Sequence, residues 1–267
     1  MEEEPDSGAG ARRRVRIGRI EVDAVTFDGA LQAIDRLVAR GAGGVVFTPN
    51  VDHVVTAEDD AAFRRAYEEA SLSLADGKYV VWASRLLGTP LPEKVSGSDL
   101  IEPLLRLAGE RRWRVFLLGG APGVAEAAAE RARRDFGVVV VGTASPFVRL
   151  DGTPGDLDQG ADAVASARPD LLLVAMGAPK QERWIHHNRS RLGHAVAIGV
   201  GASLDFVVGR IPRAPRWISR AGLEWLYRLA REPRRLAHRY LVKDPRFLAI
   251  VARTARANRE RRPGPAE

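Results

Sequence analysis

Several short apolar runs in this chain break off into polar strings whose residue types can do chemistry. Gly44–Phe47 is followed by Thr48-Pro49-Asn50. Proline fixes the turn, so the Thr hydroxyl and Asn amide either face a crevice as donors and acceptors or cap the next helix. Leu72–Leu74 is followed by Ala75-Asp76-Gly77. A carboxylate before glycine is either a turn residue or a base offered to a bound hydroxyl without intervening bulk, and Asp76 is the candidate general base. Val115–Leu118 runs into Gly119-Gly120-Ala121-Pro122-Gly123. Small residues there let amides and a helix N-terminus approach a phosphate, or simply make a tight strand-to-helix turn. Leu171–Val174 leads to Gly177-Ala178-Pro179-Lys180-Gln181-Glu182. Gln181 can bond a base or sugar edge in both directions, while Glu182 anchors a loop or binds a hydroxyl. After Ala195–Ile198, the string Gly199 to Asp205 ends in a carboxylate that accepts from ribose hydroxyls, caps a helix or pairs with a basic residue.

These strings need a scaffold that gathers them. The apolar runs, with Val138–Val141, have strand length. They alternate with amphipathic segments at Phe27–Val38, Ala61–Ala70, Leu100–Glu110, Val124–Phe136 and Pro179–Asn188. Continuous apolar strands separated by helices predict an α/β fold, Rossmann-like and doubly wound, with a mainly parallel sheet covered on both faces. In such sheets ligands bind beyond the carboxyl ends of the strands, where every one of these strings falls. Val15, Ile17, Ile20 and Val22 read as a further strand ahead of the first helix. Beyond Gly209, Pro212, Pro215, Pro233 and Pro245 divide a Trp-, Tyr- and Arg-rich stretch into short helices, the last spanning Pro245–Ala257. The expected organisation is a disordered leader (1–12), a Rossmann-like domain (13–209), a basic helical appendage (210–257) and a disordered tail (258–267).

Charge is distributed unevenly. Between Arg210 and Arg262 there are 16 Lys+Arg against 4 Asp+Glu, so the rest of the chain carries −5 of the total +7. A basic, aromatic-bearing segment suits a polyanion or is a solvated face. Cysteine is absent, which excludes disulfides and thiolate metal sites and fits a reducing compartment. No apolar run approaches the ~20 residues of a membrane-spanning helix. No metal site is expected. His186 and His187 are adjacent and would splay apart on a helix, and Asp156-Leu157-Asp158 sits at an expected helix start, where Asp is ordinary.

Taken in order, the strings resemble the WecG/TagA/CpsF glycosyltransferase family. The matching residues are Thr48-Pro49-Asn50, Ala75-Asp76-Gly77, Val95-Ser96-Gly97-Ser98-Asp99-Leu100, Phe116 to Gly120, Gly177 to Glu182, and Gly199-Val200-Gly201 through Asp205. In the tail they are Arg213-Ala214-Pro215, Glu224 to Leu229 and Glu232-Pro233-Arg234-Arg235. The resemblance implies inverting, metal-independent transfer from a UDP-sugar, of N-acetylmannosamine or uronic acid type, to a polyprenyl-diphosphate-linked sugar for cell-surface polymers. No cofactor is implied. Asp76 would be the base and Thr48 a positioning residue, with Asn50, Gln181 and Asp205 lining the donor pocket. Lys94 stands where many members carry arginine, keeping the charge but not the bidentate fork. The appendage would cover the site and attach to an anionic membrane, with Arg213 and Arg216 reaching the donor diphosphate. Its aromatics Trp217, Trp225, Tyr227, Tyr240 and Phe247 could lie at the lipid interface, although for Trp225, four residues before Leu229, packing on the body is the favoured reading. The expected location is cytoplasmic, peripheral at the inner face of the plasma membrane, and a homo-oligomer stays open.

Two other classes fit less. A nicotinamide-dependent oxidoreductase needs G-x-G-x-x-G after the first strand and an acidic residue ~20 positions on, and neither occurs there. A nucleic-acid-binding protein would align its arginines on one recognition helix, whereas prolines break this tail into pieces, so no nucleic-acid partner is expected.

Overall fold

A computed structural model describes residues 12–150, 155–211, 218, 223–231, 233, 237 and 243–260. The chain begins with β1 (Arg14–Ile17) and β2 (Ile20–Asp23), which pair antiparallel. The single strand expected here is thus a hairpin. Gly18 supplies the turn at φ 60°, a conformation that favours glycine. There follow α1 (Phe27–Arg40), β3 (Gly44–Phe47), α2 (Val51–Asp59), α3 (Ala61–Glu68), β4 (Leu72–Ser73) and α4 (Lys78–Leu86). Next come α5 (Gly97–Glu110), β5 (Arg114–Gly119), α6 (Val124–Phe136), β6 (Val139–Ala144), α7 (Ala161–Ala167) and β7 (Leu171–Ala175). The body closes with α8 (Lys180–Asn188), β8 (Val196–Gly199) and α9 (Ser203–Val207). Two further helices are α10 (Glu224–Arg231) and α11 (Arg246–Glu260).

Six strands form one parallel sheet in the order β4-β3-β8-β7-β5-β6. Every residue of β3, β7 and β8 is buried, as strands covered on both faces must be. One face packs on Ile34 of α1, Leu100 and Leu104 of α5, Ala128 of α6 and Leu204 of α9. The other packs on Val54, Phe63, Val80 and Trp184 of α2, α3, α4 and α8, together with the hairpin. The doubly wound α/β expectation therefore holds. The hairpin is tied to the short edge strand by the buried Asp23 carboxylate, which accepts from Ser73 N at 2.8 Å and Arg14 Nε at 3.2 Å.

The last helix returns to the body. Phe247, Ile250 and Val251 are buried in the core that also holds the hairpin. Phe247 is thus a packing residue and not the interfacial aromatic expected from the sequence. Arg246 forks onto Asp59 at 2.6 and 3.0 Å, and Arg253 meets Glu58 at 2.7 Å. Among the described residues no helix is long and apolar enough to cross a membrane.

Candidate active site

The strand ends that carry the polar strings are laced together by main-chain bonds. Leu74 N donates to Phe47 O at 2.8 Å, and Asp76 N donates to Pro49 O at 2.9 Å, setting Asp76 beside the Thr48 turn. Val95 N donates to Ala75 O at 2.7 Å, which brings the Lys94–Gly97 segment to the same place. Thr48 is nearly buried. A Cβ at Gly97 would lie 3.4 Å from Thr48 Oγ1 and 3.6 Å from Ser203 Oγ, so the α5 N-terminus, the β3 end and the β8 end meet at one point. Asp76 stays partly exposed there, ahead of Gly77, whose φ of 103° starts α4 without a bulky side chain.

Asn50 caps α2, accepting from Asp52 N at 3.0 Å and His53 N at 3.4 Å through Oδ1. Its capping role is therefore realised, and it stands in the same cluster. Lys94 Nζ donates to Asp99 Oδ2 at 2.7 Å, and Ser96 Oγ donates to the same oxygen at 2.6 Å. Lys94 is thereby held at the start of α5. Gln181 Oε1 accepts from Gly201 N at 2.9 Å, and its Nε2 donates to Glu182 Oε1 at 2.8 Å. Gln181 is 3% exposed and stitches α8 to the β8 loop. A Cβ at Gly199 would come within 2.8 Å of Gln181 Nε2, so glycine is what lets this amide pass. Asp205 is partly exposed on α9, and its carbonyl accepts from Arg210 N at 2.9 Å.

Gly119 and Gly120 lie farther along the sheet. Gly120 N donates to Ala175 O at 2.8 Å, and a Cβ at Gly119 would press within 2.7 Å of that same oxygen. The strand order has β5 leading to β6 on one side and β7 leading to β8 on the other, so their loops flank a switch point where ligands lodge. Arg213 and Arg216 lie outside the described residues.

Beneath the cluster is a buried polar group that sequence reading passed over. His53 Nδ1 lies 2.7 Å from Tyr67 OH, and Tyr67 stacks on Phe47 at 5.0 Å. Burial pushes the Tyr67 hydroxyl well up, helped by the negative charges of Glu182, Asp76 and Asp52. Glu182 is wholly buried, and its Oε2 has no hydrogen-bond partner among the described residues. Burial raises its carboxyl to about 7 against the bond from Gln181, and Asp52 adds to the rise. Of the two readings left open for Glu182, anchoring is the one that full burial suits. Asp52 in turn pairs with Lys243 at 2.9 Å, and Lys243 also donates to Thr56 Oγ1 at 2.8 Å. Only Gln181 and Glu182 of this group stood in a recognisable string. The rest meet because α2 and α3 fold under β3.

The Asp156-Leu157-Asp158 string forms a short 3-10 helix ahead of α7, so a helix does start here. Asp156 accepts from Arg149 N at 2.9 Å and Gln159 Nε2 at 3.0 Å, whereas Asp158 pairs with His187 and Arg191, each at 3.1 Å. His186 turns the other way, to Glu69. Among the described residues no cluster of three metal-ligating side chains occurs.

The chain thus gathers a carboxylate, a hydroxyl and a lysine at one set of strand ends, and a glycine-lined turn at the next. The sequence profile of the glycosyl transferase WecG/TagA/CpsF family matches residues 15–261. The chain belongs to this family. It is 35% identical over 217 residues, 81% of each chain, to an N-acetylglucosaminyldiphosphoundecaprenol N-acetyl-beta-D-mannosaminyltransferase of Bacillus spizizenii. It is 33% identical over 191 residues to the enzyme of that name from Bacillus subtilis, covering 72% of this chain and 73% of the relative. Glycosyl transfer is accordingly the chemistry of this chain.

Proposed function

We propose that this glycosyltransferase moves an N-acetylmannosamine-type sugar from a UDP-sugar to a polyprenyl-diphosphate-linked sugar, with inversion and without a metal. The observation that carries the reading is the convergence of Asp76, Thr48 and the α5 N-terminus at adjoining strand ends, in a chain whose named relatives act on a lipid-diphosphate acceptor. Asp76 takes the proton of the acceptor hydroxyl while that oxygen bonds to the anomeric carbon. The bond from that carbon to the nucleotide diphosphate breaks, and UDP leaves with the electron pair. Thr48 positions the donor sugar, while Asn50, Gln181 and Asp205 shape the donor pocket. Lys94 faces the developing diphosphate charge, which a preorganised cation stabilises, and the Gly119-Gly120 turn lets the diphosphate approach without intervening side chains.

Incubation with a panel of UDP-sugars and a lipid-diphosphate-sugar acceptor, read by product mass, tests the assignment. Asp76→Asn keeps the shape and removes the proton acceptor, so turnover should drop roughly 10²–10⁴-fold with donor affinity little changed. Equal turnover of the two proteins would remove Asp76 from the role. Metal independence is supported by the structural engagement of both carboxylates of Asp156-Leu157-Asp158. Activity should persist in EDTA. Loss in chelator with rescue by magnesium or manganese would overturn this part alone.

A further inference from the structure

Helix α4 begins one residue after Asp76-Gly77 and carries an outward stripe of aromatic, aliphatic and basic side chains. Tyr79 and Trp82 are each 45% exposed and Leu86 is 56% exposed, with Lys78 and Arg85 exposed on the same face. At ~100° per residue these five positions fall within about a 120° arc and extend about 12 Å along the axis. The opposite face, formed by Val80, Val81, Ala83 and Leu87, is buried and packs toward the hairpin. Even the polar Ser84 of that face is turned inward, donating to Val81 O at 2.6 Å and accepting from Leu91 N at 2.9 Å. Contiguous exposed apolar side chains on a folded body mark an interaction surface.

We propose that α4 rests in the headgroup layer of an anionic bilayer, as an attachment point separate from the basic appendage. Tyr and Trp are side chains with an apolar body and a polar tip, which suits them to that layer, and Lys and Arg lay apolar stems in it while their charges meet phosphates. A second copy of the chain is a poorer occupant. A two-fold helix pairing would set Lys78 and Arg85 of one stripe against the same cations of the other. The position of the stripe supplies the reason for the contact. It starts beside the base, so docking holds Asp76 at the depth where a membrane-anchored acceptor displays its sugar. This last step rests on the acceptor reading proposed above, whereas the membrane contact itself does not.

The test uses the full chain with Trp82→Ser and Leu86→Ser together, both exposed positions away from the reacting groups. A thermal melt matching wild type establishes that the variant is folded. Its partition onto vesicles of phosphatidylcholine with phosphatidylglycerol should weaken by about tenfold or more, since buried apolar area and cation–headgroup attraction act together. Lys78→Glu with Arg85→Glu should weaken it on the anionic vesicles and much less on pure phosphatidylcholine. With acceptor embedded in vesicles the serine variant should show a raised KM, and with a short-chain, water-soluble acceptor it should match wild type. Wild-type partition of both variants would overturn the proposal. So would a change confined to self-association in sedimentation velocity, which would make the stripe a contact between copies. If wild type transfers no sugar with any donor, the functional reading fails while the vesicle measurement still decides the docking surface.

Discussion

Asp76 and Glu182 are both carboxylates in strings that follow a strand, yet the fold gives them opposite surroundings. Asp76 precedes a glycine at an open strand end, and its candidacy was readable from that spacing alone. Glu182 is sealed under Tyr67 of α3 and near Asp52 of α2, elements more than a hundred positions earlier, so no local pattern in α8 announces its burial. The consequence can be measured. A carboxyl raised from 4.5 to about 7 keeps its proton longer in the folded chain than in the unfolded one. Its contribution to stability is complete below the unfolded value, is lost as pH climbs towards 7 and is level above that. The loss is on the order of a few kcal/mol. Glu182→Gln retains an acceptor for Gln181 and removes the titration. The melting temperature of the variant should therefore gain on that of wild type from about pH 5 to about pH 7 and hold a constant lead beyond. Parallel pH profiles of the two proteins would mean that Glu182 is ionised throughout and compensated.

At the scale of elements, strands and the longer helices were legible because apolar runs and 3.6-residue periods are local properties. The helix Val124–Phe136 was read with its observed bounds, and β3, β5 and β7 to within a residue or so at each end. Short elements with mixed surroundings were not legible. The hairpin passed for one strand because Gly18-Arg19 lacks the Asn-Gly or Asp-Gly signal of a tight turn. The α4 stripe went unremarked because an apolar residue looks alike in sequence whether a core or a membrane takes it. The docking of α11 is another tertiary fact, and it rests on a close fit. A Cβ at Gly18 would lie 2.7 Å from Ile250 Cγ2, and Gly18 N donates to Thr254 Oγ1 at 3.1 Å. Ile250→Ala should cost about 2–5 kcal/mol as the lost methyl groups leave a cavity. Gly18→Ala should destabilise through both its positive φ and the clash. Together they should cost less than their sum, because truncating Ile250 removes the tightest contact of a Cβ at Gly18, leaving Glu58 Oε1 at 2.9 Å. Urea denaturation of the four proteins gives the coupling. Strict additivity would show that helix and hairpin do not depend on each other for packing.

For the molecule as a whole, the decisive feature is the route of the chain between its body and its last helix. It leaves after α9, which follows β8, and comes back at Lys243, which bonds Asp52 in the first turn of α2, which follows β3. Strands β8 and β3 are neighbours in the sheet, so exit and return both lie at the carboxyl ends that hold Thr48 and Asp76. Both described ends of this arginine-rich segment therefore lie beside the site. The catalytic duty expected of the basic tail and the membrane contact proposed for α4 can be separated by experiment. Arg213→Ala with Arg216→Ala should lower kcat/KM for the UDP-sugar by about 10²-fold, the usual loss when a donor to developing charge is removed. Raised salt should weaken the wild-type dependence on donor and leave the variant less affected, because screened charges have less to lose. The same variant should bind anionic vesicles nearly as wild type does, while the α4 serine variant shows the reverse pattern with full use of a soluble acceptor. If the arginine variant keeps its donor kcat/KM within about twofold of wild type, the diphosphate is held without these two arginines, and the basic excess of the tail belongs to the membrane.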